Sequence, residues 1–198
     1  MLLRTNKTRL IVMLFFVCVI FVAPIVVEPM RVSSYSMEST LCDGDLILVS
    51  KIARQPKRGD IVVLHAGPEM APFGGHENVE RMIVKRVVAI PGDTFHITRG
   101  VVFVNGDPIK EPYVRHSTIY NPSTDFWPKT LVTVATNDFV IPQGDLFVMG
   151  DNREQSLDSR VWGPISEEDI TGYLLLSLRD FKRSRCKIRP PSTETSKN

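Results

Sequence analysis

The sequence predicts a mostly β protein, in which a single N-terminal transmembrane helix precedes an all-β domain with an irregular inserted lobe. Three observations carry that prediction. Residues 10–27 (LIVMLFFVCVIFVAPIVV) form one apolar run without a charge. Beyond Val32 helical periodicity is scarce, and short runs rich in β-branched residues recur between turn signals. A stretch over about residues 110–129, rich in proline and aromatics, has no period and reads as an irregular excursion. The expected division is 1–9 as a cytoplasmic segment, 10–27 as the anchor and 28–181 as the β-rich domain. About 94–145 forms a subsidiary lobe, and 182–198 is a basic tail expected to be disordered.

Charge and cysteine usage narrow the function. With 24 Lys and Arg against 22 Asp and Glu, the formal charge of +2 is too even to suggest a nucleic-acid partner. Three cysteines show no CxxC spacing, and Cys18 lies inside the apolar run, so at most Cys42 and Cys186 can pair. The fold must therefore stand on its hydrophobic core. His65, His76, His96 and His116 are scattered, without an HExxH pattern, and neither a metal nor another cofactor is expected.

The apolar run is about eighteen residues, near the lower limit for a bilayer core of ~30 Å. Arg4, Lys7 and Arg9 precede it and should stay cytoplasmic, which sends the rest of the chain across the membrane. A cleaved signal peptide has the same basic start. However, no A-x-A-like site follows the run, which continues into Glu28-Pro29-Met30-Arg31. A buried soluble helix would show a polar face, and this run has none. Pro24 should kink or end the helix.

Strands are expected at 45–49 (DLILV) and, after the turn-prone Lys57-Arg58-Gly59, at 60–64 (DIVVL). Residues 67–75 read as an exposed Gly/Pro-rich loop. Another strand runs over 81–90 (RMIVKRVVAI) and is stopped by Pro91-Gly92-Asp93. Residues 94–97 and 101–104 flank Arg99-Gly100, and Asn105-Gly106 is a strong hairpin signal. Strands resume at 131–134 and 146–149, a brief helical turn is expected at 166–169, and 173–176 is far too short for a second span.

Familiar hydrolase signatures are missing: there is no GxSxG elbow, and no histidine sits where a triad base would. One SxxK, over 184–187, lies in the tail and reads as coincidence. Lys85 is the unusual residue, a lysine inside an apolar strand. Alternation puts it on the face of Ile83 and Val87, with Val84 and Arg86 on the other. If the Ile83/Val87 face is buried, desolvation lowers the lysine pKa as a general base requires; if the other face is buried, Lys85 is an ordinary surface cation. In the polar stretch 150–160 (GDNREQSLDSR), Asp158 and Arg160 could pair. That stretch is either a packed scaffold beside a site or a solvated loop with surface pairs worth ~0–1 kcal/mol.

Taken in order, four blocks resemble the type I signal peptidases, membrane-anchored serine proteases with a Ser–Lys dyad. They are 34–41 (SYSMESTL), 58–63 (RGDIVV), 83–93 (IVKRVVAIPGD) and 150–163, and the resemblance covers nearly the whole chain. It implies Ser36 as nucleophile and Lys85 as general base. Ser34 would serve the oxyanion together with the Ser36 N–H. Ser156 would orient the Lys85 amine by a hydrogen bond, and Asp158 with Arg160 would brace the loop. Val32, Met37, Leu41 and Val84 would wall shallow pockets that admit small residues at −1 and −3 of the cut. The implied partners are signal-peptide-bearing preproteins and the lipid bilayer, with a monomer working near the secretion machinery. The implied location is a cell inner (plasma) membrane, spanned once, with the catalytic domain on its outer or periplasmic side.

Two positions depart from the family's pattern. Tyr35 replaces the usual glycine and Ser39 the usual proline, which leaves open a relative that is idle or serves a few client leaders. Ser39 or Thr40 could recover the turn with a side-chain bond. A related self-cleaving regulator would need a DNA-binding module, and no helix-turn-helix pattern precedes Ser36.

Overall fold

The computed structural model describes residues 6–17, 23–67, 81–114, 138–178 and 186. The expected loop over 68–75, the strand at 131–134, most of the 110–129 excursion and all of the tail except Cys186 lie outside the described residues.

Helix α1 spans Asn6–Val17, a short α2 spans Ala23–Val26, and residues 18–22 between them are outside the described set. Val27–Arg31 is already strand β1. The expected anchor therefore loses its last residue to the sheet, where Val27 pairs with Ser50. Val27 can join the ladder because α2 ends at Val26; Pro24 lies in the first turn of that short helix, where a proline is tolerated. Among the described residues no helix is long and apolar enough to cross a membrane.

Most of the regular structure among the other described residues is antiparallel sheet. Strands β2 (Leu46–Ser50), β3 (Ile61–Ala66), β4 (Arg81–Ala89), β9 (Asp145–Met149), β10 (Ile165–Ser166) and β11 (Ile170–Leu178) join β1 in a seven-stranded sheet ordered β1-β2-β11-β3-β4-β9-β10. A second sheet, ordered β7-β6-β5-β8, comprises β5 (Thr94–Thr98), β6 (Val101–Val104), β7 (Asp107–Pro108) and β8 (Phe139–Val140). The Arg99-Gly100 and Asn105-Gly106 turns carry φ of 51°, 80°, 56° and 83°, the left-handed values that tight hairpins demand. The brief helical turn appears as a 3-10 segment over Glu167–Asp169.

Both sheets are tied together by β4. Its register against β9 shifts between Val87 and Ala89. A bulge of that kind re-aims the strand. Val87 accordingly packs with Val62, Leu64, Leu146, Val148, Ile165 and Tyr173, whereas Val88 and Ala89 join the core of the second sheet. That second core centres on Phe95, stacked on Phe147 with ring centroids 4.0 Å apart. The turn after β4 is fixed by Asp93, whose carboxylate accepts from the Ile90 N–H, the Arg58 guanidinium and the Asn105 amide. Gly172 lets β11 run close beside its neighbour β2: a Cβ there would lie 2.7 Å from the Ser50 carbonyl oxygen. A third cluster, Val32, Met37, Leu41, Ile47, Val49 and Val63, lies under the chain that leaves β1.

Candidate active site

After β1, the Val32 N–H donates to Asp45 O and the Gly44 N–H returns to Val32 O, pinning both ends of the intervening excursion. Between them the chain makes one helical turn, closed by Thr40 and Leu41 N–H groups on Met37 O at 3.0 and 2.8 Å. Met37 and Leu41 anchor this turn in the third cluster at 1% and 0% exposure, leaving Ser36 at its start.

Lys85 lies opposite Val62 in the β3–β4 register and shares its strand face with Ile83 and the fully buried Val87. The face left undecided by alternation is therefore covered, and Lys85 keeps only 4% exposure. Its Nζ donates to Ser36 Oγ at 2.8 Å. Burial pushes the lysine down to about 8; the Asp158 carboxylate pushes back, Arg160 adds to the lowering, and Asp151 opposes it.

Ser34 Oγ lies 3.3 Å from Ser36 Oγ, to which it donates, and accepts the Ser36 N–H at 3.2 Å. Behind Ser36 runs 150–160, a packed scaffold. Asp158, fully buried, accepts from the Gly150 N–H, from Ser156 Oγ at 2.7 Å, and from Arg160 through both Nε (2.8 Å) and a terminal NH2 (2.9 Å). It also caps the short helix α3 (Ser159–Trp162) by accepting the Arg160 N–H. Burial alone would raise the Asp158 pKa, but the charge and N–H groups of Arg160 outweigh it and hold the carboxyl below its ordinary range. Lys85 Nζ bonds Ser36 Oγ, and the expected bond to Ser156 is not among the described contacts; the Ser156 hydroxyl donates to Asp158, whose carboxylate acts on the Lys85 pKa against burial.

Of the four expected pocket residues, Met37, Leu41 and Val32 are core, while Val84 packs against the same cluster and keeps some exposure. Tyr35 is 36% exposed, and its carbonyl accepts from Asn152 Nδ2.

Sequence reasoning missed several contacts. The Asn152 N–H holds Ser36 O at 3.0 Å. Gly150 passes so close that a Cβ would sit 2.5 Å from Ser36 O and 2.3 Å from Ser156 Oγ. Arg86 pairs with the buried Asp151, which also accepts from Thr40 Oγ1. The only sequence signal was the density of Gly, Asp and Asn in 150–153. Cys42, at the end of the turn that starts at Ser36, is joined by a disulfide to Cys186, a pairing that sequence left open. Among the described residues no group of three or more His, Cys, Asp or Glu could hold a metal ion.

Comparison with known proteins adds a family. Residues 5–178 match the model of a family described as signal peptidase, peptidase S26. A probable signal peptidase I-1 from Synechocystis is 37% identical over 163 residues, covering 81% of this chain and 74% of its own. A signal peptidase IB from Staphylococcus aureus is 31% identical over 186 residues, covering 90% and 92%. A crystal structure of signal peptidase I from Enterococcus faecalis aligns with TM-score 0.42 and 23% identity, covering 63% of this chain and all of that one.

Proposed function

Since the chain belongs to the signal peptidase (peptidase S26) family, we propose that it is a serine endopeptidase that removes N-terminal signal peptides from preproteins with a Ser36–Lys85 dyad. The observation that carries this reading is the 2.8 Å contact of Lys85 Nζ with Ser36 Oγ in a buried site. A lysine brought to about 8 is partly neutral near physiological pH, and its lone pair can then accept the Ser36 proton. Ser36 Oγ attacks the scissile carbonyl carbon, and the carbonyl electron pair moves onto oxygen. The resulting oxyanion needs donors. In the resting site the Ser36 N–H and the Ser34 hydroxyl are spent on each other and on Ser36 Oγ. Rotation of Ser34 about χ1 frees both to face the oxyanion. Collapse of the intermediate breaks the C–N bond, the Lys85 ammonium returns its proton to the leaving amine, and water repeats the cycle on the acyl-enzyme.

The partly exposed Val84, with Val32 beneath, offers an apolar surface with no charged partner, consistent with small residues at −1 and −3. Helix α1 bears exposed Leu10, Ile11, Met13, Leu14, Phe15, Phe16 and Val17, apolar on every side. Such a helix is costly in water and suits a bilayer. We therefore propose that the β domain sits at the outer face of a membrane, held there through α1.

The test is incubation of a preprotein carrying an Ala-x-Ala site with wild type, Ser36→Ala and Lys85→Met, followed by mass spectrometry of the products. Wild type should cut once, after the second alanine, and neither variant should cut. Cleavage by Ser36→Ala would overturn the assignment; a silent wild type would leave a binding relative.

A further inference from the structure

The segment that follows β7 returns across the molecule to the nucleophile turn. Ile109 anchors it in the core of the second sheet, with its N–H on Val102 O. The next residues form a tight bend, Val114 N–H to Glu111 O at 3.0 Å, with Tyr113 Oη donating to Glu111 Oε1 at 3.1 Å.

This bend touches the candidate site on two sides. On one side, Ser39 Oγ donates to the Tyr113 carbonyl, and the Arg86 guanidinium lies over the Tyr113 ring at 4.0 Å from its centroid. Ser39 has φ 96°, a left-handed value costly for any residue with a Cβ and kept only where the surroundings impose it. The bond to Tyr113 is one such constraint, and the neighbouring Thr40–Asp151 bond is another. On the other side, the Glu111 carboxylate takes both terminal nitrogens of Arg153, whose side chain is 5% exposed. Arg153 in turn donates from Nε to Gly150 O at 3.0 Å, and the next turn of that backbone presents the Asn152 N–H to Ser36 O. The two paths meet at Ser36, one through 39–40 and the other through 150–152.

Building on the peptidase reading above, we propose that Glu111 and Tyr113 form a strap that positions Ser36 against Lys85. They are positioning residues: neither touches the reacting atoms. Glu111 works by being the charged partner of a buried guanidinium. Neutralising it leaves Arg153 paired only with carbonyl and amide dipoles, and a buried cation in that condition moves toward water. Its departure takes the Gly150 carbonyl and the Asn152 N–H with it.

The experiment compares Glu111→Gln, Glu111→Asp and wild type, full chain in detergent. The rates read out are kcat and KM on the Ala-x-Ala preprotein, well below the melting temperature of each variant. Amide hydrogen exchange of 36–41 and 150–153 is followed in a Ser36→Ala background. The strap predicts that Glu111→Gln lowers kcat about tenfold or more with KM within about twofold, and that exchange at both segments accelerates. Glu111→Asp keeps the charge and should recover most of kcat. A lowered melting temperature with kcat and exchange unchanged would make the contact merely structural and overturn the proposal. Accelerated exchange with unchanged kcat would also overturn it. A wild type that cuts nothing overturns the peptidase reading and the positioning role together, whereas unchanged exchange beside an active wild type removes the strap alone.

Discussion

Replacing Lys85 by Arg should abolish cleavage, because a guanidinium stays protonated at any working pH and cannot take the Ser36 proton. The same residue makes an opposite prediction for stability. Its folded pKa is about 8 against 10.5 in the unfolded chain. Between those values the unfolded chain binds the extra proton, so the stability of the wild type rises with pH across that window. Below about 8 the folded protein bears the full cost of a buried ammonium. Lys85→Met removes that cost, so its melting temperature should exceed that of wild type at pH 7, with the gap narrowing toward pH 10.5. A variant less stable than wild type throughout would show that the ammonium is well accommodated. Gly150→Ala makes a steric prediction. The added Cβ would fall 2.3 Å from Ser156 Oγ and 2.5 Å from Ser36 O, and no flexible side-chain end is there to yield on the Ser36 side. Its kcat should drop by at least about a hundredfold, given that small displacements of reacting groups cost that much. Residues of this kind were only half legible. Alternation gave Lys85 two possible faces, and the choice came from the β3–β4 register and the loop over 150–160, which no local pattern encodes. The Asp158–Arg160 pair was legible because its members are two apart. Arg153 with Glu111 was not, being 42 residues apart.

At the scale of single elements, the nucleophile turn departs from the family's pattern in an instructive way. Ser39 stands where the family usually has proline, and its φ of 96° is one that a proline ring, locked near −65°, cannot adopt. Ser39→Pro should therefore lower both stability and kcat in this chain, despite moving toward the family pattern; thermal melts and the cleavage assay would reveal either outcome. The expected recovery of the turn by side-chain bonds has its physical form in Ser39 on Tyr113 and Thr40 on Asp151. The disulfide from Cys42 to Cys186 spans 144 residues and ties the tail to the end of this turn. By chain-entropy arguments a loop of that length is worth about 4–5 kcal/mol. Cys186→Ser should thus melt markedly earlier than wild type while still cutting the preprotein at 25 °C, since the contacts of the proposed Ser36–Lys85 site lie within 34–160. Strands such as β3, β5 and β6 were legible because β-branched runs sit between Gly- and Pro-bearing turns. The far end of the apolar run was not, because VEPMR reads as a helix exit until Leu46–Ser50 is seen to pair with it.

For the molecule as a whole, two antiparallel sheets are linked through β4, a strand of the seven-stranded sheet, whose bulge at Val87–Ala89 lets it contribute side chains to both cores. The mostly β character was open to sequence reading, whereas the strand order was not. β11 inserts between β2 and β3, a long-range pairing that sets the wall behind the nucleophile turn. At the centre of the proposed chemistry, a buried neutral lysine activates Ser36. The most direct measurement is kcat/KM of the full chain on the Ala-x-Ala preprotein from about pH 6 to about pH 10, which reports the ionisation of the free enzyme. A lysine base should give a rise with a midpoint near its value of about 8. A profile flat across that range, or falling as the lysine loses its proton, would contradict it.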